Sequence, residues 1–320
     1  MTLNELRYIV AVARERHFGH AAEACHVSQP TLSVAVRKLE EELGVPLFER
    51  APGEVTITPV GRRIIAQAQR VLEEADLLRQ LATQGQDELA GMLRLGVIYT
   101  IGPYLLPHLI PRLYRRAPAM PLQIEENYTA VLRERLKNGQ LDVLILSLPF
   151  AEPGVLTQSV YEEPFVVLMP SGHALEQAAL IDAATLARQD LLLLGPGHCF
   201  RDQVLQFCPE CHQLSSASDT MQKTLEGSSL ETIRLMVATG MGVTVLPYTS
   251  VSGYADAGEL LSVRPFAPPA PTRVVALAWR RSFPRPRVID VLAAAIRACP
   301  LGAAVRLLDA ADAAAPGASA

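Results

Sequence analysis

The first 58 residues repeat apolar side chains at intervals of three and four, a spacing typical of short amphipathic helices. A first helix begins near Leu3, a second is predicted over 18–25, and a third over 29–42. Ser28 can cap the third helix, and Pro30 occupies its first turn, where a missing N–H does no harm. Two short helices, a tight turn and a third helix with a polar face predict a helix-turn-helix.

A small hairpin and a long helix follow. The hairpin is predicted over 44–58, which makes residues 1–58 a winged helix-turn-helix domain. Residues 59–87 predict a linker helix with an apolar seam for a second copy of the chain, ending in a hinge at 84–87. An ordinary amphipathic helix packed on its own domain is the alternative. The seam comprises Val60, Ile64, Ala68, Val71, Ala75, Leu78 and Ala82.

From Met92 onward, apolar runs of strand length alternate with helical patterns. This order predicts an α/β domain over 88–300, with parallel sheets covered by helices. Its length favours two lobes with a cleft between them. We assign about 88–162 and 266–300 to lobe I, and about 163–265 to lobe II. Residues 301–320 are rich in alanine and predict a flexible tail.

Composition is that of a soluble globular protein, with 49% hydrophobic and 19% charged residues among 320. No apolar run approaches the roughly 18 residues of a membrane span, and the N-terminus shows no signal region. Five cysteines, an odd number, do not suggest the framework of a secreted disulfide-rich protein. We therefore expect a cytoplasmic protein with reduced thiols and no membrane contact.

Charge alone gives no signal for nucleic acid, because the net charge is −4 and residues 1–60 hold six Lys and Arg against eight Asp and Glu. A generic three-helix interaction domain is therefore an alternative. Placement favours DNA, since small polar side chains crowd the N-terminus of the third helix and suit phosphate and base-edge contacts. The candidate DNA-binding residues are Ser28, Gln29, Pro30, Thr31, Ser33, Arg37, Lys38 and Arg50.

Three of the five cysteines lie between positions 199 and 211, after an apolar run and a Gly-Pro-Gly turn. Cys199 lies between His198 and Arg201, and neighbouring cations favour the reactive thiolate. If the segment is helical, the Cα atoms of Cys199 and Cys208 lie roughly 13 Å apart, at about 1.5 Å per residue. A disulfide tolerates only about 4.4–6.8 Å, so joining these cysteines requires the helix to come apart.

A zinc site is an alternative for the same segment. Cys199, Cys208, Cys211 and His212 have the soft-ligand character that zinc prefers. A bound metal would hold the segment in place, however, and the chain has no second closely spaced cysteine pair. We therefore expect neither a metal nor a cofactor.

The N-terminal block carries several specific motifs: Leu3 and Leu6, Phe18-Gly19-His20-Ala21-Ala22, Ser28-Gln29-Pro30-Thr31-Leu32-Ser33, Leu39-Glu40, Leu43-Gly44, Leu47-Phe48, Arg50, Thr58-Pro59 and Gly61. In these motifs the block resembles the LysR-type transcriptional regulators. The resemblance implies a winged helix-turn-helix, a linker helix and a two-lobed effector domain like a periplasmic binding protein. Residues 197–203 and 207–208 further resemble the peroxide-sensing branch of that family, the OxyR regulators.

Within that branch, the resemblance makes Cys199 the peroxidatic thiol, oxidised by hydrogen peroxide to a sulfenic acid, and Cys208 the resolving thiol. Cys211 departs from the branch's pattern and leaves open which thiol resolves. Helix capping is the alternative for the two threonines of the implied peroxide pocket, and a surface turn for its histidine. The pocket residues are Thr100, Thr129, His198, Arg201 and Asp202.

The resemblance implies a regulator, mainly an activator, of the oxidative-stress response, and not an enzyme. The implied partners are promoter DNA, RNA polymerase, cytosolic thiol-disulfide reductants and a second copy bound through residues 59–87. A homotetramer is the expected assembly. Two alternatives remain: a metabolite-binding LysR-type regulator with incidental cysteines, and a thiol peroxidase.

Overall fold

A computed structural model gives the fold and describes residues 1–51, 54–83, 88–211, 229–251 and 260–309. The chain divides into two compact units, residues 1–86 and 87–320. The expected hinge at 84–87 lies outside the described residues. Among the helices in those ranges, none is both long and apolar enough to cross a membrane.

The first unit opens with helices α1 (Leu3–Glu15), α2 (Phe18–Ala24) and α3 (Gln29–Leu43). Ser28 caps α3, because its hydroxyl accepts a hydrogen bond from the N–H of Thr31. Gly44 ends the helix with φ at 70°, a left-handed conformation that favours glycine. Strands β1 (Phe48–Ala51) and β2 (Glu54–Ile57) pair antiparallel as the wing. The predicted winged helix-turn-helix is confirmed.

A 25-residue helix, α4 (Pro59–Thr83), follows the wing. Part of the predicted seam packs on the helix's own unit, since Ala68 is buried in its core and Ile64 lies against that core. Other seam positions stay open to solvent: Val60, Val71 and Leu78 are 44%, 37% and 69% exposed. The alternative of a helix packed on its own domain therefore holds for part of α4, and the seam for a second copy stays a prediction.

The second unit alternates strands and helices, as predicted for an α/β domain. Short 3₁₀ helices also occur at Ala174–Gln177 and Tyr248–Ser250. The elements are β3 (Leu93–Ile98), α5 (Gly102–Arg116), β4 (Leu122–Asn127), α6 (Thr129–Lys137), β5 (Val143–Ser147), β6 (Val155–Pro170), α7 (Ala183–Leu186), β7 (Leu191–Leu192), α8 (Cys199–Phe207), α9 (Leu230–Ala238), β8 (Val243–Pro247), β9 (Leu261–Pro265), β10 (Thr272–Arg280), α10 (Pro286–Arg297) and β11 (Arg306–Leu307).

The sheet of this unit has the strand order β4-β3-β5-β10-β6-β8-β7, with β9 and β11 also paired to β6. The prediction of parallel sheets is only partly correct. Parallel pairs join β3 to β4 and β5, and β7 to β8, whereas β6 and β10 pair antiparallel with each other. The reason is the crossover between lobes. The chain leaves lobe I along β6 and returns along β10, so these two strands run in opposite directions.

Two apolar cores define the lobes. The core of lobe I includes Leu95, Leu144 and Leu292, from β3, β5 and α10. The core of lobe II includes Val167 and Phe200, from β6 and α8. Strand β6 is 16 residues long and runs through both, pairing with β10 in lobe I and with β8 and β9 in lobe II.

Residues 301–309 correct the expectation of a flexible tail that begins at 301. Leu301 and Leu308 are buried, and Arg306–Leu307 form β11 against β6. Arg306 also forms an ion pair with Glu162 of β6. These apolar and charged side chains give the segment enough contacts to pack, although its alanine-rich composition does not suggest it. Residues 310–320 lie outside the described part of the chain.

Candidate functional site

Helix α8 positions the cysteine segment. Gly197 turns the chain out of lobe II with φ at 93°, in the region that glycine favours. His198 is the N-cap of the helix, and Cys199 is its first residue. The buried face of α8 carries Phe200 and Val204 into the core of lobe II, which fixes the start of the helix.

A small cavity lies between the two lobes at the N-terminus of α8. It is lined by residues 98–100 before α5, by 127–129 around the start of α6, and by 197–199 at the start of α8. Its empty volume is about 180 Å³, including space open to solvent. The structure therefore brings together predicted site residues that are far apart in the chain: Thr100, Thr129, His198 and Cys199.

The helices around the cavity begin without side-chain caps. Their N-cap residues are Ile101 for α5, Tyr128 for α6 and His198 for α8, and none of these side chains accepts a hydrogen bond from the helix. Neither Thr100 nor Thr129 is an N-cap, so the capping alternative does not hold. The first N–H groups of a helix, with the partial positive charge there, favour a negative group nearby.

Arg273 holds Thr100 in place. Its Nη1 donates to Oγ1 of Thr100 at 2.9 Å, and its Nη2 donates to the Thr100 carbonyl at 3.0 Å. Thr100 is buried, so these bonds are shielded from water. Because the hydroxyl oxygen already accepts from Arg273, the hydroxyl proton is left for a ligand. Thr100 is thus oriented as a donor in the cavity wall.

Arg273 is itself fixed by an ion pair inside the unit. Glu163 lies 2.8 Å from its guanidinium, and both side chains are 0% exposed. The other carboxylate oxygen of Glu163 accepts from the N–H of Thr249 at 2.8 Å. The guanidinium carbon of Arg273 also lies 5.5 Å from the centre of the Phe200 ring. The network therefore joins β10, β6 and α8 across both lobes.

His198 is buried against two tyrosines. Its ring centre lies 4.7 Å from that of Tyr128 and 6.1 Å from that of Tyr99. Burial lowers the pKa of His198, so the ring is neutral near pH 7. Nε2 has no hydrogen-bond partner within the described part of the protein. The surface-turn alternative does not hold, and a neutral ring with a free nitrogen is available to a ligand of the cavity.

Arg201 and Asp202 do not line the cavity. Nη1 of Arg201 donates to the carbonyl of Leu194 at 2.7 Å, because a side chain two positions after Cys199 lies on another face of the helix. Asp202 is exposed on the first turn of α8. The structure thus gives no support to the prediction that these two residues contact peroxide.

The expectation of reduced thiols holds only for part of this segment. Cys199 is a half-buried free thiol, whereas Cys208 is joined to Cys211 in a disulfide. Helix α8 separates Cys199 from Cys208, whose Cα atoms lie roughly 13 Å apart at about 1.5 Å per residue. The structure therefore does not contain the Cys199–Cys208 disulfide, which needs the helix to unwind.

The zinc alternative finds no support in the described residues, where no cluster of metal-ligating side chains occurs. Cys208 and Cys211 are joined to each other, so neither is a thiolate that could ligate a metal. The remaining candidate, His212, lies outside the described residues.

The exposed face of α3 forms the candidate DNA-binding surface. The hydroxyls of Ser28 and Thr31 lie 2.8 Å apart at the start of the helix. Gln29 and Pro30 are exposed beside them. Val34 is not among the predicted DNA-binding residues, but it is 68% exposed one turn after Thr31 and presents an apolar contact on the same face.

Two cations lie further along α3. Arg37 pairs with Glu41 at 3.3 Å, and Lys38 lies 3.8 Å from Glu5. The side chains of Arg37 and Lys38 are 77% and 72% exposed, so these weak surface pairs can exchange for phosphate. Ser33 is half-buried. Arg50 belongs to β1, and its side chain lies outside what the structure describes.

Several residues of the cavity wall were not predicted. Tyr99, Asn127 and Tyr128 adjoin the predicted threonines, and that adjacency is the signal that points to them. Arg273 gives no local signal, since it is 173 positions from Thr100 in the chain. Only the pairing of β10 with β6 brings Arg273 to the site.

Comparisons with known proteins cover both units. Residues 3–62 match the family model "Bacterial regulatory helix-turn-helix protein, lysR family", and residues 86–299 match "LysR substrate binding domain". The Escherichia coli K12 "DNA-binding transcriptional dual regulator OxyR" is 39% identical over 93% of this chain and 95% of its own. A "Probable hydrogen peroxide-inducible genes activator" of Streptomyces viridosporus is 42% identical over 92% and 93%. The solved structure of a full-length Pseudomonas aeruginosa OxyR with a cysteine-to-aspartate substitution shares 57% identity and a TM-score of 0.76, over 94% of this chain and 96% of that one.

Proposed function

The chain belongs to the LysR family of bacterial regulatory proteins, and we propose that it is an OxyR-type activator that regulates transcription in response to hydrogen peroxide. One observation carries the proposal: Cys199 is a free thiol at an uncapped helix N-terminus, in a small cavity between the lobes. The same cavity offers the hydroxyls of Thr100 and Thr129 and the unpaired ring nitrogen of His198. Hydrogen peroxide both donates and accepts hydrogen bonds, so it matches the hydrogen-bonding groups of this site.

The chemistry starts from the thiolate of Cys199, because the thiolate is the nucleophilic form of a cysteine. Its sulfur attacks one peroxide oxygen and keeps it as a sulfenic acid, while the O–O bond breaks. The second oxygen leaves as hydroxide and becomes water on protonation. Donors in the cavity wall stabilise the charge on the leaving oxygen. Thr100 and Thr129 are the proposed donors, with His198 in support.

Cys208 is the proposed resolving thiol, and its reaction with Cys199 refolds α8. A disulfide between them forms only when the helix unwinds. Unwinding withdraws Phe200 from the core of lobe II. It also breaks the hydrogen bond from Nε2 of Gln203 to Oγ of Ser147 in lobe I, which measures 3.0 Å. Oxidation thereby changes the contacts between the lobes, and we infer that this change alters the grip on DNA.

Promoter DNA is the proposed target of α3. A recognition helix places its N-terminal side chains against base edges in the major groove, and exposed Val34 suits a thymine methyl group. RNA polymerase is the proposed partner at activated promoters, and cytosolic thiol-disulfide reductants restore the thiols. The contact residues are Ser28, Gln29, Pro30, Thr31, Ser33, Arg37, Lys38 and Arg50.

A second copy of the chain completes the proposed DNA-binding unit. The exposed apolar side chains of Val60, Val71 and Leu78 lie along one face of α4, which suits pairing with the same face of another copy. A two-fold dimer reads two half-sites on DNA. Two such dimers form the proposed homotetramer.

The test titrates reduced full-length protein with less than one equivalent of hydrogen peroxide and maps the modified thiols by mass spectrometry. We expect Cys199 to react first, and a Cys199→Ser variant to lose the peroxide-dependent change in promoter activity. A Cys199→Ser variant that still activates transcription when peroxide is added would contradict the proposal. Sustained peroxide consumption with a thiol reductant would indicate a peroxidase instead.

A further inference from the structure

We propose that Cys211 is a second resolving thiol. Its sulfur attacks the Cys199–Cys208 disulfide, forms a Cys208–Cys211 disulfide and releases Cys199 as a free thiol. This rests on the proposed function for the oxidation of Cys199 and goes beyond it by assigning a reaction to Cys211. The structure holds the end state of that exchange, with Cys199 free and Cys208 joined to Cys211.

The segment after α8 suits the Cys208–Cys211 pair. The N–H of Cys211 donates to the carbonyl of Cys208 at 3.1 Å and closes a turn around Pro209 and Glu210. The two Cα atoms lie 5.4 Å apart, inside the range of about 4.4–6.8 Å that disulfides tolerate. Both cysteines are buried in the core of lobe II. The local fold thus places the attacking sulfur beside its target.

The same disulfide leaves α8 complete. In the structure that contains it, α8 runs from Cys199 to Phe207, and Phe200 and Val204 remain in the core. Formation of a Cys199–Cys208 disulfide breaks those contacts, because the Cα atoms of the two cysteines lie roughly 13 Å apart in the folded helix. Of these two disulfides of Cys208, the one with Cys211 is compatible with the folded helix. Refolding of α8 therefore drives the exchange toward Cys208–Cys211.

The steps balance with hydrogen peroxide as the sole oxidant. Peroxide converts the Cys199 thiolate to a sulfenic acid, and the Cys208 thiol condenses with it to form a disulfide and water. The Cys211 thiolate then attacks Sγ of Cys208, a new S–S bond forms, and Cys199 leaves as a thiolate. In sum, one peroxide and the thiols of Cys208 and Cys211 give one disulfide and two waters.

The exchange limits the lifetime of the unwound state. The Cys199–Cys208 form exists only until Cys211 attacks, and its product has the same α8 as the structure described above. Cys199 can then meet a second peroxide while its resolving partner is occupied. Its sulfenic acid persists until a reductant opens the Cys208–Cys211 disulfide, so reductant supply resets the site.

The experiment follows both disulfides in time after one equivalent of hydrogen peroxide is added to the reduced full-length chain. Samples are quenched with an alkylating reagent and digested with trypsin, which cuts after Arg188, Arg201 and Lys223. Cys199 then lies on the peptide 189–201, and Cys208 and Cys211 share the peptide 202–223. A Cys199–Cys208 disulfide therefore links two peptides, whereas Cys208–Cys211 lies within one.

We expect linked peptides to appear first and then to give way to the internal disulfide, with Cys199 alkylated at the end. In Cys211→Ala, and in Cys211→Ser as a second variant, the linked peptides should accumulate and persist at least tenfold longer. Equal lifetimes in wild-type and variant chains would overturn the exchange. So would formation of Cys208–Cys211 at an unchanged rate in Cys199→Ser. An absence of any Cys199 oxidation in the Cys211 variants would instead overturn the proposed function.

Discussion

Arg273 and Glu163 form an ion pair that solvent does not reach, with charged groups 2.8 Å apart and both side chains 0% exposed. The same guanidinium holds the hydroxyl of Thr100 at the cavity. Removal of one partner from a buried pair leaves an uncompensated charge, which destabilises a protein far more than loss of a surface pair. This relationship couples the stability of the unit to the geometry of its reactive site.

Arg273→Met should lower the free energy of unfolding by roughly 3–5 kcal/mol, because Glu163 stays buried without its partner. The double variant Arg273→Met/Glu163→Leu removes both charges and should recover much of that loss. Neither variant has a guanidinium that holds the hydroxyl of Thr100, so peroxide should oxidise Cys199 more slowly in both than in the wild type. Urea unfolding of the full-length chain, followed by circular dichroism, measures the stability. A single variant as stable as the wild type would contradict the assignment.

Thr129→Val should slow the oxidation of Cys199 by about a hundredfold, the usual effect of losing one donor to a developing oxyanion. Thr129→Ser keeps the hydroxyl and serves as the matched control. Loss of free thiol under excess peroxide gives the rate. Equal rates for the valine and serine variants would exclude Thr129 as a donor.

Thr100→Val should slow the same reaction and also destabilise the fold by roughly 1–3 kcal/mol, because Nη1 of Arg273 loses its acceptor. Thr100→Ser should restore both properties. Thermal unfolding and the oxidation rate, measured on the same preparations, separate the two effects. An unaltered melting temperature in Thr100→Val would mean that the bond to Arg273 contributes little.

Stability should fall as the pH drops below about 6.5, the ordinary pKa of histidine. Burial lowers the pKa of His198, so the unfolded chain binds a proton at a higher pH than the folded chain. The contribution is complete above the unfolded pKa and is lost as the pH falls. His198→Phe cannot titrate and should lose less stability between pH 7.5 and pH 5.5, measured by urea unfolding. Parallel losses in both proteins would refute this.

Leu78→Asp should weaken self-association, because it places a charge on the exposed apolar face of α4. Ala66→Asp is the control, since Ala66 is also exposed but lies on another face of the helix. Sedimentation equilibrium on the full-length chain gives the dissociation constant. We expect at least a tenfold increase for Leu78→Asp alone; equal effects at both positions would place the contact elsewhere.

Thr100 and Thr129 were predicted through the resemblance to the peroxide-sensing branch, because their local sequence suggests only helix capping. Cys199 also had a local signal, since it follows an apolar run and a Gly-Pro-Gly turn at a strand end, where ligands bind in α/β folds. The ends of α3 in the winged domain could also be predicted, because Ser28 is a favoured N-cap residue and Gly44 is a favoured residue at the end of a helix.

The rest depends on contacts that are distant in sequence. Arg273 reaches Thr100 only through strand pairing, so no local pattern points to it. Arg201 was predicted as a pocket residue beside Cys199, but helix geometry directs its guanidinium to the carbonyl of Leu194. For Cys208, spacing permits two partners, and the choice depends on whether α8 is folded. The antiparallel pairing of β6 and β10 also follows from the crossover of the chain between the lobes. The sequence pattern of each single strand does not reveal that crossover.

Strand β6 carries hydrogen bonds in both lobes, with one shift of register against β10 between Ser159 and Tyr161, and Glu163 contributes the buried ion pair near its middle. This strand connects the two lobes, whereas two-lobed binding proteins that close around a ligand bend at hinges of a few loop or element-terminal residues. Closure of the lobes around a bound ligand is therefore poorly suited to report peroxide in this fold. A covalent change at Cys199 that unwinds the short helix α8 is better suited, because it changes local secondary structure.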